Sequence, residues 1–275
     1  MSRSAEPALV ANARMYAVNP AVRAAWTELF GWVSAASGLA LEVIDHAAPA
    51  PLDELWRRGD LGLAFICGYP FASGGFPVQP VVAPVPASAL GAGRPLYASH
   101  LVVRAESGLA TLAESFGGRL GWTVEHSQSG FNALRSHLLP YRRAGASLYA
   151  GSVGPLVTPR RVIEALLAGE IDIGPLDSYF HDLLLAHEPE TAARLRIVET
   201  TAPRPIPLLV ASEGVQPAIV GKLRGALLAA SGDAVTAPLL ARLRLSGFAA
   251  VEREAYGVLL DDAREAEAAG YVMPG

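Results

Sequence analysis

Residues Gly121 to Phe131 read Gly-Trp-Thr-Val-Glu-His-Ser-Gln-Ser-Gly-Phe, a β-branched strand running into a Ser-Gln-Ser-Gly turn that opens a helix. A helix N-terminus carries unpaired backbone N–H groups and a partial positive charge. Ser127, Gln128 and Ser129 add side-chain donors at that point, so the corner can take an oxyanion without any lysine. The plainer reading of the same residues is an N-cap by Ser127 or Ser129, with Asn132 and Arg135 on the exposed face of an ordinary helix. His126 beside the corner would donate to an anion when protonated, with Glu125 offsetting its charge; a surface pair on a loop is the alternative.

Other side chains are candidates by type and place. Asp177, after an apolar run, would either pair with a cationic group of a ligand or cap the helix that follows, and Ser178 is its neighbour. Tyr16, Tyr69, Tyr97 and Tyr179 are four of eight tyrosines and fall at expected strand ends or crossings, where a ring packs on a ligand while the hydroxyl donates to oxygen. Each would equally serve as core. Trp122, within the strand, and Trp26 and Trp32, on one amphipathic helix, read as core. The histidines show no His-x-x-x-His spacing, so no metal site is expected, nor is a cofactor; Gly-x-Ser-x-Gly and Gly-x-x-x-x-Gly-Lys are both missing from the sequence, which argues against esterase and nucleotide chemistry.

Composition narrows the class. Half the residues are hydrophobic (51%) and 17% are charged, which excludes a disordered chain. The net charge is −4, and Lys222 is the single lysine among basic residues that nowhere cluster, so no nucleic-acid surface is expected. One cysteine, Cys67, in an apolar run, excludes an internal disulfide and a multi-cysteine cluster and reads as buried packing. The N-terminal residues lack the apolar run of a secretory signal. The sequence as written is therefore expected to be cytoplasmic, or periplasmic if a leader precedes it.

The elements that would position these residues alternate. A strand at Ala8 to Tyr16 precedes Asn19-Pro20, a helix start, and Val22, Trp26, Leu29 and Val33 recur at helical spacing until Gly38. A strand at Leu41 to His46, a short helix at Pro51 to Arg58, a buried strand at Leu61 to Cys67 and a loop at Gly68 to Phe71 follow. The order then recurs. A strand is expected at Arg119 to Val124, the serine-rich helix to about Leu139, a helix from Thr158-Pro159 and a strand at Glu170 to Ile173. Gly59-Asp60-Leu61-Gly62-Leu63 and Gly169-Glu170-Ile171-Asp172-Ile173 sit at matching points and suggest two similar α/β lobes. Pro95 to Arg104 and Arg196 to Ser212 read as extended segments crossing between them. The fold class is thus α/β, with residues 1–98 and 203–275 as a discontinuous first lobe, 99–202 as the second, and a ligand cleft between.

On the two motifs Gly-Trp-Thr-Val-Glu-His-Ser-Gln-Ser-Gly-Phe and Ala-Gly-Glu-Ile-Asp-Ile-Gly-Pro-Leu-Asp-Ser-Tyr, the chain resembles the phosphonate-binding branch of the type II periplasmic solute-binding proteins, grouped with sulfonate-binding proteins and transferrins. The resemblance runs from Met15 to about Phe248. It implies an oxyanion of the phosphonate, phosphate or sulfonate class held by Ser127, Gln128 and Ser129, with Asp177, Ser178, Tyr179 and Tyr97 facing it and Tyr16 and Tyr69 closing from the first lobe. It also implies an ABC permease as partner, no catalytic residues, and a monomer as the default state. The chain departs from the branch with Cys67 where a tyrosine commonly precedes the glycine, and with Thr158-Pro159-Arg160 where Gly-(Ser/Ala)-His is frequent. Two other classes fit the same architecture: an enzyme like those of menaquinone or thiamine-pyrimidine synthesis, and a cytoplasmic ligand sensor.

Overall fold

The computed structural model describes residues 8–142 and 147–275. It divides into two compact units, 8–95 with Ile206–Ala255, and Leu96–Pro205 with Tyr256–Gly275. The chain passes between units inside both extended segments that the sequence marked as crossings. It passes a third time at Ala255/Tyr256, so the C-terminal residues 256–275 belong to the second unit and not, as expected, to the first.

The first unit is built on a six-stranded mixed sheet in the order Leu245–Ala249, Val78–Pro86, Leu208–Ser212, Leu61–Ile66, Leu9–Asn12, Leu41–Val43. Leu9–Asn12 pairs in parallel with both its neighbours, as the strand and helix alternation requires. Leu61–Ile66 is buried at every position, which explains its continuous apolar run. The helix Pro20–Ser37 begins where Asn19 accepts the Val22 N–H at 3.0 Å and ends at Gly38, whose φ of 68° favours glycine. Its buried stripe includes Val22, Trp26, Leu29 and Val33, and Trp26 meets Phe65 edge-on at 5.1 Å.

Two local expectations fail here. The first strand stops at Asn12, because Asn12 turns the chain by accepting the Arg14 N–H and a 3-10 turn covers Arg14–Tyr16. Gly68 to Phe71 is no open loop: Gly68–Ala72 is a short helix that buries Pro70 and Phe71.

The second unit has a three-stranded antiparallel sheet in the order Leu195–Thr200, Ser99–Arg104, Gly174–Asp177, and two short pairs, Leu96–Tyr97 with Arg204–Pro205 and Arg119–Gly121 with Gly151–Val153. The strand expected at Glu170 to Ile173 begins instead at Gly174. Asp172 and Ile173 bond Arg119 O and Ile173 O takes the Gly121 N–H, which makes a single bridge of Ile173 to Leu120, while Gly174–Asp177 finds a full partner in Ser99–Arg104. Leu101, Leu120, Trp122, Phe131, Leu134, Leu138, Ile173, Ala266 and Tyr271 form one buried cluster, to which the C-terminal helix Gly257–Ala268 and its tail contribute directly. Trp122 is core, as expected, although the strand expected to run to Val124 stops at Gly121, one residue before it.

The C-terminal helix is fastened to the second unit by Arg204 and Asp262, a two-pronged pair at 2.6 and 2.7 Å that raises the Arg204 pKa above its usual value chiefly through the hydrogen bond. The Asp262 side chain is only 10% exposed. Asp262→Ala leaves the guanidinium without its carboxylate, and urea unfolding is expected to report a loss of about 2 kcal/mol; the partial exposure of Arg204 keeps the effect below that of a fully buried pair. No change would mean that the helix is held by its apolar face alone.

Burial also makes this unit acid-sensitive. His100 accepts or donates to Thr200 Oγ1 at 2.9 Å and meets His181 edge to face at 5.4 Å. Desolvation first, and the His181 ring second, push its pKa down from 6.5 to about 4. A histidine with a lowered folded-state pKa is protonated first in the unfolded chain, so stability is full above pH 6.5 and falls as the pH drops toward about 4. The expected loss over that window is roughly 2–3 kcal/mol, measured by urea titration, and His100→Gln should flatten the acid limb. Among the described residues no helix is long and apolar enough to cross a membrane.

Candidate functional site

The strand Arg119–Gly121 is shorter than its β-branched sequence suggests. Trp122 N–H still bonds Val153 O, and past Gly154-Pro155 the Leu156 and Val157 N–H groups bond Trp122 O and Thr123 O, but Thr123 N–H bonds back to Gly130 O at 3.1 Å. This folds Val124–Ser127 into a tight turn, with Ser127 N–H on Val124 O. Gln128–Asn132 then winds as a π turn in which Asn132 N–H reaches Ser127 O, and Ala133–Leu138 continues as α-helix.

Ser127 is the cap. Its Oγ accepts the Gly130 N–H at 3.0 Å, which leaves its own hydroxyl proton to be donated outward. Ser129 has a bound carbonyl, which accepts from Ser99 Oγ at 2.8 Å, whereas its N–H and hydroxyl have no acceptor among the described residues. Ser127 and Ser129 are partly exposed and His126 is exposed, while Gln128 is buried. The bend depends on Gly130: a Cβ there would lie 1.9 Å from Thr123 Oγ1 and 2.8 Å from the Thr123 Cβ and Cγ2.

Neighbouring strands frame the corner by hydrogen bonds. The Ser178 Oγ accepts the Ala98 N–H at 3.0 Å, and Ser178 N–H bonds Ala98 O at 2.9 Å, so Gly174–Asp177 and Ser99–Arg104 stay in register beside Ser129. Thr201 Oγ1 accepts the Ser99 N–H at 3.0 Å. Asp177 Oδ1 accepts from Tyr179 N–H at 2.9 Å and Phe180 N–H at 3.0 Å, capping the helix Ser178–His187, which is the structural alternative the sequence left open. Tyr179 is fully buried, and that burial, with Asp177 and Asp182 nearby, holds its phenol protonated well above the usual pKa. Tyr97 is 2% exposed on its short strand.

The second unit therefore brings Ser178 and the Ser127–Ser129 turn to the segment Tyr97–Ser99, through the Ala98–Ser178 and Ser99–Ser129 hydrogen bonds. Sequence reasoning missed Ser99, Thr123 and Thr201 there; their signal is only a small polar residue inside or next to an apolar strand. It also misplaced Asn132 and Arg135, which are 0% and 3% exposed and not on an outer face. In the first unit, Tyr16 is 1% exposed with its ring edge-on to Phe65 at 4.9 Å, and Tyr69 keeps partial exposure on the short helix. Cys67 is buried, as its run suggests. No group of three or more metal-ligating side chains stands together among the described residues.

Among curated proteins none matches the sequence. Among solved structures, the chain is similar to a binding-protein component of an ABC phosphonate transporter from Pseudomonas aeruginosa, at 17% identity over 96% of this chain and 89% of that one, with a TM-score of 0.78. It is similar to PhnD1 of Prochlorococcus marinus solved with methylphosphonate, at 17% identity over 94% and 98%, with a TM-score of 0.75. A Xanthomonas citri protein solved with ATP gives 20% identity over 96% and 99% and a TM-score of 0.66. These likenesses show a type II periplasmic-binding-protein fold. Residues 17–256 match the family described as ABC transporter, phosphonate, periplasmic substrate-binding protein, and the chain belongs to that family.

Proposed function

We propose that this protein is the receptor that captures a small tetrahedral oxyanion, a phosphonate in the first instance, at the Ser127–Gly130 corner, and that it delivers the ligand to an ABC permease from the periplasm. The observation that carries the reading is the pairing of a capping Ser127, whose hydroxyl proton is left to donate, with a Ser129 whose N–H and hydroxyl have no acceptor among the described residues. Three donors at one helix start suit three oxygens of one anion. Family membership favours this over the enzyme and sensor readings, and PhnD1, which shares the fold, was solved with methylphosphonate.

In this reading His126, beside the corner, is a further donor, and Gln128, Asp177, Ser178, Tyr97 and Tyr179 support or line the site. Tyr16 and Tyr69 enter through the family resemblance. Binding needs no cofactor and no covalent step, and the working form is a monomer that does not bind nucleic acid. Thermal unfolding with methylphosphonate, aminoethylphosphonate, phosphate, sulfonates and dicarboxylates tests it: a ligand at ~100 times its dissociation constant stabilises by about 2.7 kcal/mol. A shift confined to one anion class names the ligand; no shift with any would remove the proposal.

A further inference from the structure

Arg135 lies on the helix that starts at the oxyanion corner, and its side chain is 4% exposed. A buried guanidinium is stable when a carboxylate meets it closely. Among the described residues no carboxylate hydrogen-bonds Arg135: Nη2 donates to the neutral Asn132 Oδ1 at 2.6 Å, and Nη1 to the carbonyls of Tyr271 and Val272, each at 3.3 Å. Nε has no acceptor among the described residues, and the Phe131 ring lies 4.9 Å from the guanidinium carbon. The Arg135 ion pair is a loose one, to Glu267 at 3.7 Å, whose side chain keeps 55% of its surface in solvent. The positive charge is thus buried and incompletely balanced.

Two hydrogen-bonded steps separate that charge from the corner. Asn132, which takes the guanidinium on Oδ1, gives its backbone N–H to Ser127 O at 3.0 Å and its Nδ2 to the same oxygen at 3.4 Å. A side chain on a helix leans toward the helix start, so the guanidinium sits below the corner and not at the far end.

We infer that Arg135 is a specificity residue that sets the preferred charge of the ligand: its buried cation, reaching the corner through Asn132, favours a doubly charged oxyanion over a singly charged one of the same shape. The inference rests on the function proposed above and adds a ranking within it, phosphonate dianion above sulfonate. Unit charges about 10 Å apart at an effective dielectric of ~20 change a dissociation constant on the order of tenfold for each ligand charge. The dianion therefore loses one such factor more than the monoanion when the cation is removed.

Calorimetry at mildly alkaline pH with methylphosphonate and methanesulfonate, isosteric ligands that then carry two and one charges, reads this directly. Arg135→Gln should lower the phosphonate-to-sulfonate affinity ratio on the order of tenfold, and Arg135→Lys should restore much of it. Asn132→Asp, nearly isosteric, sets a carboxylate against the guanidinium and should lower the ratio without removing the arginine, which serves if Arg135→Gln does not fold. A purely structural role would weaken both ligands equally. An unchanged ratio in Arg135→Gln or Asn132→Asp overturns the inference while leaving the receptor reading intact; failure of the unaltered protein to bind either ligand overturns the receptor reading itself.

Discussion

Replacing Ser127 and Ser129 together by alanine is expected to weaken methylphosphonate binding by about a hundredfold or more, with the fold retained. Hydrogen bonds to a charged group contribute about 1.5–3 kcal/mol each, and two hydroxyl donors leave together. The single variants should differ in a way that the geometry dictates. Ser127→Ala also removes the cap on Gly130 N–H, at a cost of about 1 kcal/mol in stability, whereas Ser129, whose hydroxyl meets no acceptor among the described residues, should lose affinity with little change in melting temperature. Calorimetry beside thermal unfolding separates the two. Equal affinity in the double variant would place the anion elsewhere.

Gly130→Ala should be the more damaging change to the protein itself. The added Cβ would stand 1.9 Å from Thr123 Oγ1, and the obstacle is a β-branched side chain that is 5% exposed and whose backbone N–H is bound to Gly130 O. Thr123 has little freedom to rotate away, so the turn itself must open. Overpacking of this kind costs about 3 kcal/mol. The loss should extend to ligand affinity because the same turn sets the directions of the Ser127 and Ser129 donors. Pairing Gly130→Ala with Thr123→Ser or Thr123→Ala, which clears part of the clash, should recover part of the stability. Gly130→Ala with native stability and affinity would show that the corner tolerates a different backbone path.

Much of this was legible in the residues because local chemistry dominates there. Asn19-Pro20 and Gly38 bound their helix as read, and Thr158 and Asp177 cap theirs. The Ser-Gln-Ser-Gly motif starts a helix, and Ser127 caps it as an acceptor, which leaves the proposed donor role compatible with the capping one.

What escaped the sequence depends on partners distant along the chain. The strand at Glu170 to Ile173 shifted to Gly174–Asp177 because pairing with Ser99–Arg104 decides where a ladder forms, and an alternating apolar pattern does not name its partner. Asn132 and Arg135 have the polar character of an outer face, yet the C-terminal tail at Tyr271 and Val272 covers Arg135, and the Arg135 guanidinium meets Asn132. The same covering, with Arg204–Asp262, moved residues 256–275 out of the first lobe to which chain order had assigned them. Tyr16 could not be sorted between core and ligand by type; in the structure its ring lies edge-on to Phe65.

The central claim is that an oxyanion is taken at the helix start after Val124. Titration of isotope-labelled protein with methylphosphonate, followed through the amide resonances of Ser127, Gln128, Ser129 and Gly130, tests it most directly. The account predicts saturation at one ligand per chain, with the largest downfield shift at the Ser129 N–H, and no such shift in the Ser127→Ala/Ser129→Ala variant. Saturable binding that leaves these four amides unmoved would contradict it.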